Sequence, residues 1–235
     1  MSNMQISYRL ERVASNVHYG GVVADIGCDH GFTSIYLMEN KLAKHIIAMD
    51  INKGPLERAK AHVLEYGMEN DIELRLSDGA KKLQKGEADT LLISGMGGML
   101  ITKILNDSEE IVGDVKELVL SPQSDVGAVR KCVHDMGFEI ADEEMLKDQG
   151  KYYLVIRAVR GEEKYNLEED YIYGKKLAEK KDRVFGEFLN KERERVNKVL
   201  NKLNNLELSE KSFEQKRNIE HEKDMIESMI KRLNA

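Results

Sequence analysis

The sequence predicts an α/β fold: a mostly parallel sheet covered on both faces by helices, ending in one antiparallel final strand, followed by a C-terminal helical hairpin. Three observations predict it. Short apolar runs alternate with amphipathic stretches up to about residue 137, the pattern of a parallel sheet wrapped by crossover helices. Two strand-like segments then follow, residues 138–146 and 152–159, with only five residues between them. That gap is too short for a crossover, so the pair forms an antiparallel hairpin. From residue 162 onward the chain is charged, free of proline and without any strand pattern.

The elements read in order. An opening helix carries Arg9 and Arg12. Residues 21–26 form a buried strand, 33–40 a helix, 45–50 a second strand. Residues 55–66 are helical, with Pro55 suited to a first turn. Strands follow at 72–76 and 88–94, a helix from about 99 to 105, a fifth strand at 118–121 and a helix over 125–136. This order is Rossmann-like, and a reversed last strand separates methyltransferases from dehydrogenases at the level of element order. Residues 168–206 read as one long helix. Leu189, Val196, Val199, Leu203 and Leu206 keep coiled-coil a/d spacing, with Glu192 in the vacant place. After Asn204-Asn205, Ile219, Ile226, Met229 and Leu233 repeat it around Glu222, and Ser212 to Gln215 resembles a capping box. The division expected is residues 1–161 as the ligand-binding domain and 162–235 as a helical coiled-coil domain.

Hydrophobic residues make up 41% of the chain, enough for a sizeable core. The net charge of −6 belongs to residues 1–161, because residues 162–235 hold seventeen charges of each sign. That balance argues against a general nucleic-acid coat, and DNA is not expected as a partner. Cys28 and Cys132 form no CxxC, which argues against a disulfide framework or a metal site. No apolar span reaches membrane length and no signal core opens the chain, so the expectation is a cytoplasmic, monomeric protein.

The chemistry gathers at strand ends. Asp25-Ile26-Gly27-Cys28-Asp29-His30-Gly31 follows the first strand. Gly27 and Gly31 let backbone approach a ligand, as in dinucleotide sites. Asp29, however, stands where the middle glycine of GxGxxG belongs. A carboxylate there repels a pyrophosphate but suits a cofactor bearing an ammonium group and a sulfonium, which points to S-adenosyl-L-methionine; the alternative is that Asp29 only caps the next helix. Asp50, ending the second strand, sits where an acid accepts ribose hydroxyls, or else starts a turn before Asn52. Asp78-Gly79 ends the third strand and suits an adenine amino group, or is an ordinary turn. Ser94-Gly95-Met96-Gly97-Gly98 lets backbone pass close to a planar group. Gln123, after the fifth strand, offers a donor and an acceptor to a base edge. His30 reads as a proton shuttle or as packing, Cys28 as a small turn residue, and Arg9 and Arg12 as phosphate contacts or solvated cations.

Together with Tyr8-Arg9-Leu10-Glu11-Arg12-Val13-Ala14 and Gly86-Glu87-Ala88-Asp89, the Asp29-His30 pair and the Gly95-Met96-Gly97-Gly98 loop resemble the bacterial tRNA (adenine-22 N1)-methyltransferase family, of TrmK type. The resemblance spans residues 5–160. It implies methylation of N1 of an adenine in the D-arm region of tRNA, with S-adenosyl-L-homocysteine as product. By the same resemblance Asp25, Gly27, Cys28, Asp29, Asp50, Ile51, Asp78, Gly79, Gly95 and Met96 bind the cofactor. Arg9, Arg12, His30, Gly97 and Gly98 face the substrate, and Asp29 and Gln123 are the catalytic candidates. The competing readings are a small-molecule methyltransferase, a non-catalytic cofactor-binding adaptor that uses the helical hairpin, and an NAD oxidoreductase, which Asp29 and the reversed strand oppose.

Overall fold

The computed structural model describes residues 4–18, 20–204 and 210–235. Its strands are β1 (Val22–Ile26), β2 (His45–Asp50), β3 (Ile72–Leu76), β4 (Thr90–Met96), β5 (Glu117–Pro122), β6 (Phe138–Asp148) and β7 (Lys151–Arg160). Its α-helices are α1 (Tyr8–Ser15), α2 (Phe32–Glu39), α3 (Lys53–Glu65), α4 (Gly98–Asn106), α5 (Glu109–Val112), α6 (Val126–Asp135), α7 (Lys175–Glu179), α8 (Arg183–Asn204) and α9 (Glu210–Asn234). A π-helical turn, Asp170–Gly174, precedes α7.

One sheet carries all seven strands in the order β3-β2-β1-β4-β5-β7-β6. The first five strands run parallel, and β7 lies antiparallel between β5 and β6. Alternation along the central strands builds two cores. Ala24, Ile47, Leu91 and Leu118 face one layer, while Val23, Ile46, Leu92 and Val119 face the other. Strands covered on both faces read as continuous apolar runs, which is why β1, β2, β4 and β5 were legible.

β4 and the long C-terminal helix differ from the sequence reading, and the short α5 was not part of it. β4 runs two residues further, to Met96, through a bulge between Ser94 and Met96. The Met96 carbonyl accepts the Gln123 N–H at 2.9 Å, so the Gly95 segment ends a strand instead of forming a free loop. The helix expected over 168–206 is broken in two places. The π-helical turn opens it, and Lys181, at φ 53°, ends α7. Asp182 then restarts the chain, its carboxylate accepting the Phe185 N–H at 2.8 Å. Such a side-chain cap stabilises a helix start at a point where no proline announces one.

The seam of the tail also shifts. Leu189, Val196, Leu200 and Leu203 are buried on α8, whereas Val199 is half-buried. A straight helix of 3.6 residues per turn drifts from a strict heptad. Ile226 and Met229 are buried on α9, with Ile219 and Leu233 packed beside them. Arg195 pairs with Glu222 and Arg193 with Glu227, an order that makes the two helices antiparallel. Asn205, Leu206 and the side chain of Ser212 lie outside the described residues, and α9 already includes position 212. Phe185, Leu189, Val196, Ile226 and Met229 share one apolar cluster with Phe138, Ile156 and Leu118, so the tail packs on the sheet layer as well as on itself.

Candidate cofactor and base site

The carboxyl ends of β1 to β4 converge on a cavity of about 480 Å³. Its walls include every residue expected to hold the cofactor: Asp25, Gly27, Cys28, Asp29, Asp50, Ile51, Asp78, Gly79, Gly95 and Met96. This is the crevice where ligands bind in open parallel sheets.

The turn after β1 is shaped by backbone. The N–H groups of Gly27 and Cys28 both donate to the Met49 carbonyl, at 2.8 and 2.9 Å, which ties the turn to β2. Gly27 has φ 78°, and a Cβ there would stand 2.1 Å from the Met96 methyl. Met96 would have to swing its terminal methyl aside for a side chain, and the left-handed backbone is itself the conformation that glycine adopts without strain. Asp29 is also left-handed, at φ 49°. It does not cap α2: the cap position is Gly31, which has no side-chain bond. The Asp29 carboxylate is largely exposed in the cavity mouth, 3.6 Å from His30 Nε2.

Asp50 is buried and serves two backbone donors. Its Oδ1 accepts the Asn52 N–H at 2.8 Å and its Oδ2 the Asp29 N–H at 3.3 Å. It is both the turn-starting acid and an acid on the cavity wall. Asp25 lies deeper, and its Oδ2 accepts the Ser34 hydroxyl at 2.6 Å. Burial pushes its carboxyl up to about 6, against the lowering effect of Ser34 and with the charge of Asp50 adding to the rise. Burial, reinforced by the Asp25, Asp50 and Asp29 carboxylates, drives the Cys28 thiol far above its ordinary range, so Cys28 lines the wall as an unreactive thiol. Asp78 is half-exposed and paired with Lys81.

On the other wall Arg9 enters from α1. Its guanidinium lies 5.2 Å from the centroid of the Tyr153 ring, a cation–π contact. A Cβ on Gly95 would meet Arg9 Nη1 at 3.6 Å and Gln123 Nε2 at 4.0 Å, so both side chains converge over that glycine. His30 stacks on Phe32, with centroids 5.5 Å apart, and Phe32 stacks on His62 at 4.8 Å. His62 Nδ1 donates to the His30 carbonyl at 2.9 Å. His30 is thus a packed, partly exposed rim residue.

Three residues expected to face substrate stand outside the cavity. Arg12 makes a two-pronged contact with Glu144, at 2.8 and 2.9 Å, and Asn16 joins the same carboxylate. These bonds fasten α1 to β6 and hold Arg9, one turn earlier, at the mouth. Gly97 and Gly98 begin α4, where the Gly98 N–H donates to the Ser124 carbonyl at 3.0 Å. The wall residues Phe32, Thr33, Pro55, Leu100 and Ile104 were not foreseen. Tyr153 was missed too, because no local pattern links residue 153 to residue 9.

The wall carries four carboxylates against one guanidinium. That balance suits a cationic nucleoside and opposes a pyrophosphate. Buried Asp50 at the end of β2 puts a carboxylate on the wall, and the glycine turns at β1 and β4 leave backbone open to a close ligand. Among the described residues no helix is long and apolar enough to cross a membrane.

Comparison with known proteins agrees with this chemistry. The TrmK family, tRNA (adenine(22)-N(1))-methyltransferase, matches over residues 23–230. The tRNA (adenine(22)-N(1))-methyltransferase of Bacillus subtilis strain 168 is 34% identical over 190 residues, covering 79% of this chain and 80% of the relative. The crystal structure of the B. subtilis m1A22 tRNA methyltransferase TrmK superposes with a TM-score of 0.87 at 29% identity, covering 96% of this chain and 99% of that one. A Streptococcus pneumoniae structure in complex with S-adenosyl-L-methionine gives a TM-score of 0.86 at 29% identity, over 96% of this chain and 100% of that one. With the matched region reaching from β1 into the last helix, this chain belongs to the tRNA (adenine(22)-N(1))-methyltransferase family.

Proposed function

We propose that this chain methylates N1 of the adenine at position 22 of tRNA, using S-adenosyl-L-methionine and leaving S-adenosyl-L-homocysteine. The observation that carries the reading is the acid-lined cavity at the ends of β1 to β4, with Arg9 and Gln123 converging on its open side over Gly95. The cofactor supplies a methyl group on a cationic sulfur. Asp50 accepts the ribose hydroxyls, Asp78 and Gly79 border the adenine ring, and Asp25 and Asp29 set a negative field around the cationic end. Gly95 and Met96 offer backbone to a planar group.

N1 of adenine has an in-plane lone pair, so the chain needs no strong base; its task is alignment at attack distance. Gln123 presents both an amide donor and an acceptor to the base edge. Transfer leaves a positive charge on the base, and the Asp29 carboxylate stands on the same mouth to offset it. His30 flanks that mouth, Gly97 and Gly98 support it from the start of α4, and Arg9 faces the incoming RNA. Arg12 acts through α1, by holding Arg9 in place. The target base must leave its stack, at a cost of a few kcal/mol. Residues 1–161 carry the cofactor and the chemistry, and residues 162–235 seat the tRNA body by phosphate contacts. The enzyme works as a cytoplasmic monomer.

Methyl transfer from labelled cofactor to unmodified tRNA tests this directly. The expected product is 1-methyladenosine at position 22, lost when that adenine is replaced by guanine. Transfer to a small metabolite but not to tRNA overturns the reading.

A further inference from the structure

β5 ends with Pro122, the next residue, Gln123, lines the cavity, and α6 leads away from it toward the C-terminal helices. One turn into α6 stands Arg130, whose side chain is 1% exposed. Its Nε donates to Glu143 Oε1 at 2.7 Å, and Glu143 is fully buried. Its remaining nitrogens grip three consecutive carbonyls of the π-helical turn: Tyr171 at 2.6 Å, Ile172 at 3.1 Å and Tyr173 at 3.2 Å. The turn closes on Gly174, at φ 113°, where a Cβ would stand 2.7 Å from Arg130 Nη2 and 2.9 Å from Glu143 Oε2.

The other side of the same turn holds the last helix. Asp170 accepts from Arg232 at 2.6 Å, and Glu169 from Ser228 at 2.9 Å. A continuous line therefore runs from the cavity through α6, Arg130 and the π-helical turn to α9. π-helical turns are rare and concentrate at functional bends.

We propose that Arg130, held by Glu143, is a positioning residue for methyl transfer, and that it sets the angle at which the α8–α9 pair presents tRNA to the cavity. This rests on the reading above that the tail seats the tRNA. Stability alone does not call for a buried ion pair here, because well-packed apolar residues of similar volume serve as well or better. What the guanidinium adds is direction. Its rigid fork fixes several donors in one plane, so three successive carbonyls are held at one orientation.

The test compares the paired variant Arg130→Met with Glu143→Leu, which leaves no buried ion unpaired, with Arg130→Lys, which keeps the charge but not the fork. Three quantities are read: S-adenosyl-L-homocysteine affinity by calorimetry, kcat and KM with a full-length tRNA transcript, and the solution X-ray scattering envelope. Both variants are expected to bind S-adenosyl-L-homocysteine as the parent does. The paired variant is expected to lose about tenfold to a hundredfold in kcat/KM for tRNA, with a broadened envelope, and Arg130→Lys to lose less. Unchanged tRNA kinetics and an unchanged envelope in both variants overturn the proposal. A parallel fall in cofactor affinity also overturns it, since the pair would then be holding the whole fold. A parent that transfers no methyl to tRNA refutes the substrate reading instead; the envelope then decides the joint, broadening for it and constancy against it.

Discussion

The Asp50 carboxylate accepts the backbone N–H of Asp29 across 3.3 Å, so the acid that ends β2 also pins the loop that ends β1. One side chain thereby sets two walls of the cavity. Asp50→Ala removes charge-assisted bonds on both counts and is expected to weaken S-adenosyl-L-homocysteine binding by about tenfold to a hundredfold. Asp50→Asn, which can keep one acceptor, should fall between. Calorimetry on folded protein checks this; a loss below threefold for the alanine variant would count against the role given to Asp50.

Asp25 makes stability depend on pH in a defined window. Its folded value of about 6 lies above the ordinary value of 3.8. The folded state therefore holds the proton longer than the unfolded chain does, so the contribution is fully present below about pH 4 and is lost as pH rises through 6. The size is on the order of 2–3 kcal/mol. Without cofactor, the parent should lose more stability between pH 4 and 7 than Asp25→Asn does. Denaturant titrations at several pH values give the comparison, and identical slopes for both proteins would refute it.

Gln123 reaches the open side of the cavity while its backbone is held by Met96. Removing the amide leaves the strand bond intact. Gln123→Ala should therefore bind S-adenosyl-L-homocysteine normally yet lose about tenfold to a hundredfold in kcat with tRNA. Single-turnover methyl transfer separates this from slow release of product. A variant with parental single-turnover rates would remove Gln123 from the site.

Gly98 packs where β4 turns into α4. A Cβ there would lie 2.3 Å from the Ser124 carbonyl oxygen, a backbone atom that cannot swing away. Gly98→Ala is expected to cost about 1–3 kcal/mol of stability, read as a lowered denaturation midpoint with an unchanged slope.

The sequence made the sheet legible because each buried strand is a short apolar run bounded by glycine or an acid. It made the cavity legible because Asp25, Asp29, Asp50 and Asp78 each lie at or just after the end of a strand, and strand ends of a parallel sheet converge. It did not show that Arg12 is engaged by Glu144, a partner 132 positions away. Nor did it show Tyr153 beneath Arg9. The break at Lys181 was hidden because a lysine can adopt the left-handed conformation without any local sign, although Asp182 three residues before Phe185 is a usable capping signal.

The placement of β7 between β5 and β6 bears on how the protein is made. As the chain leaves the ribosome, β6 emerges before the strand that separates it from the sheet. Phe138 and Ile140 then have no neighbour to pair with until residues 151–160 follow. The last strand to arrive joins both sides at once, pairing Leu120 with Ile156 and Met145 with Leu154. Non-local pairing of this kind is slow and leaves apolar edges open to other chains. Synthesis paused before residue 160 should thus yield a sticky, half-built sheet; completion of β7 closes the gap between strands, and Phe185, Leu189 and Met229 of the tail then cover its apolar face.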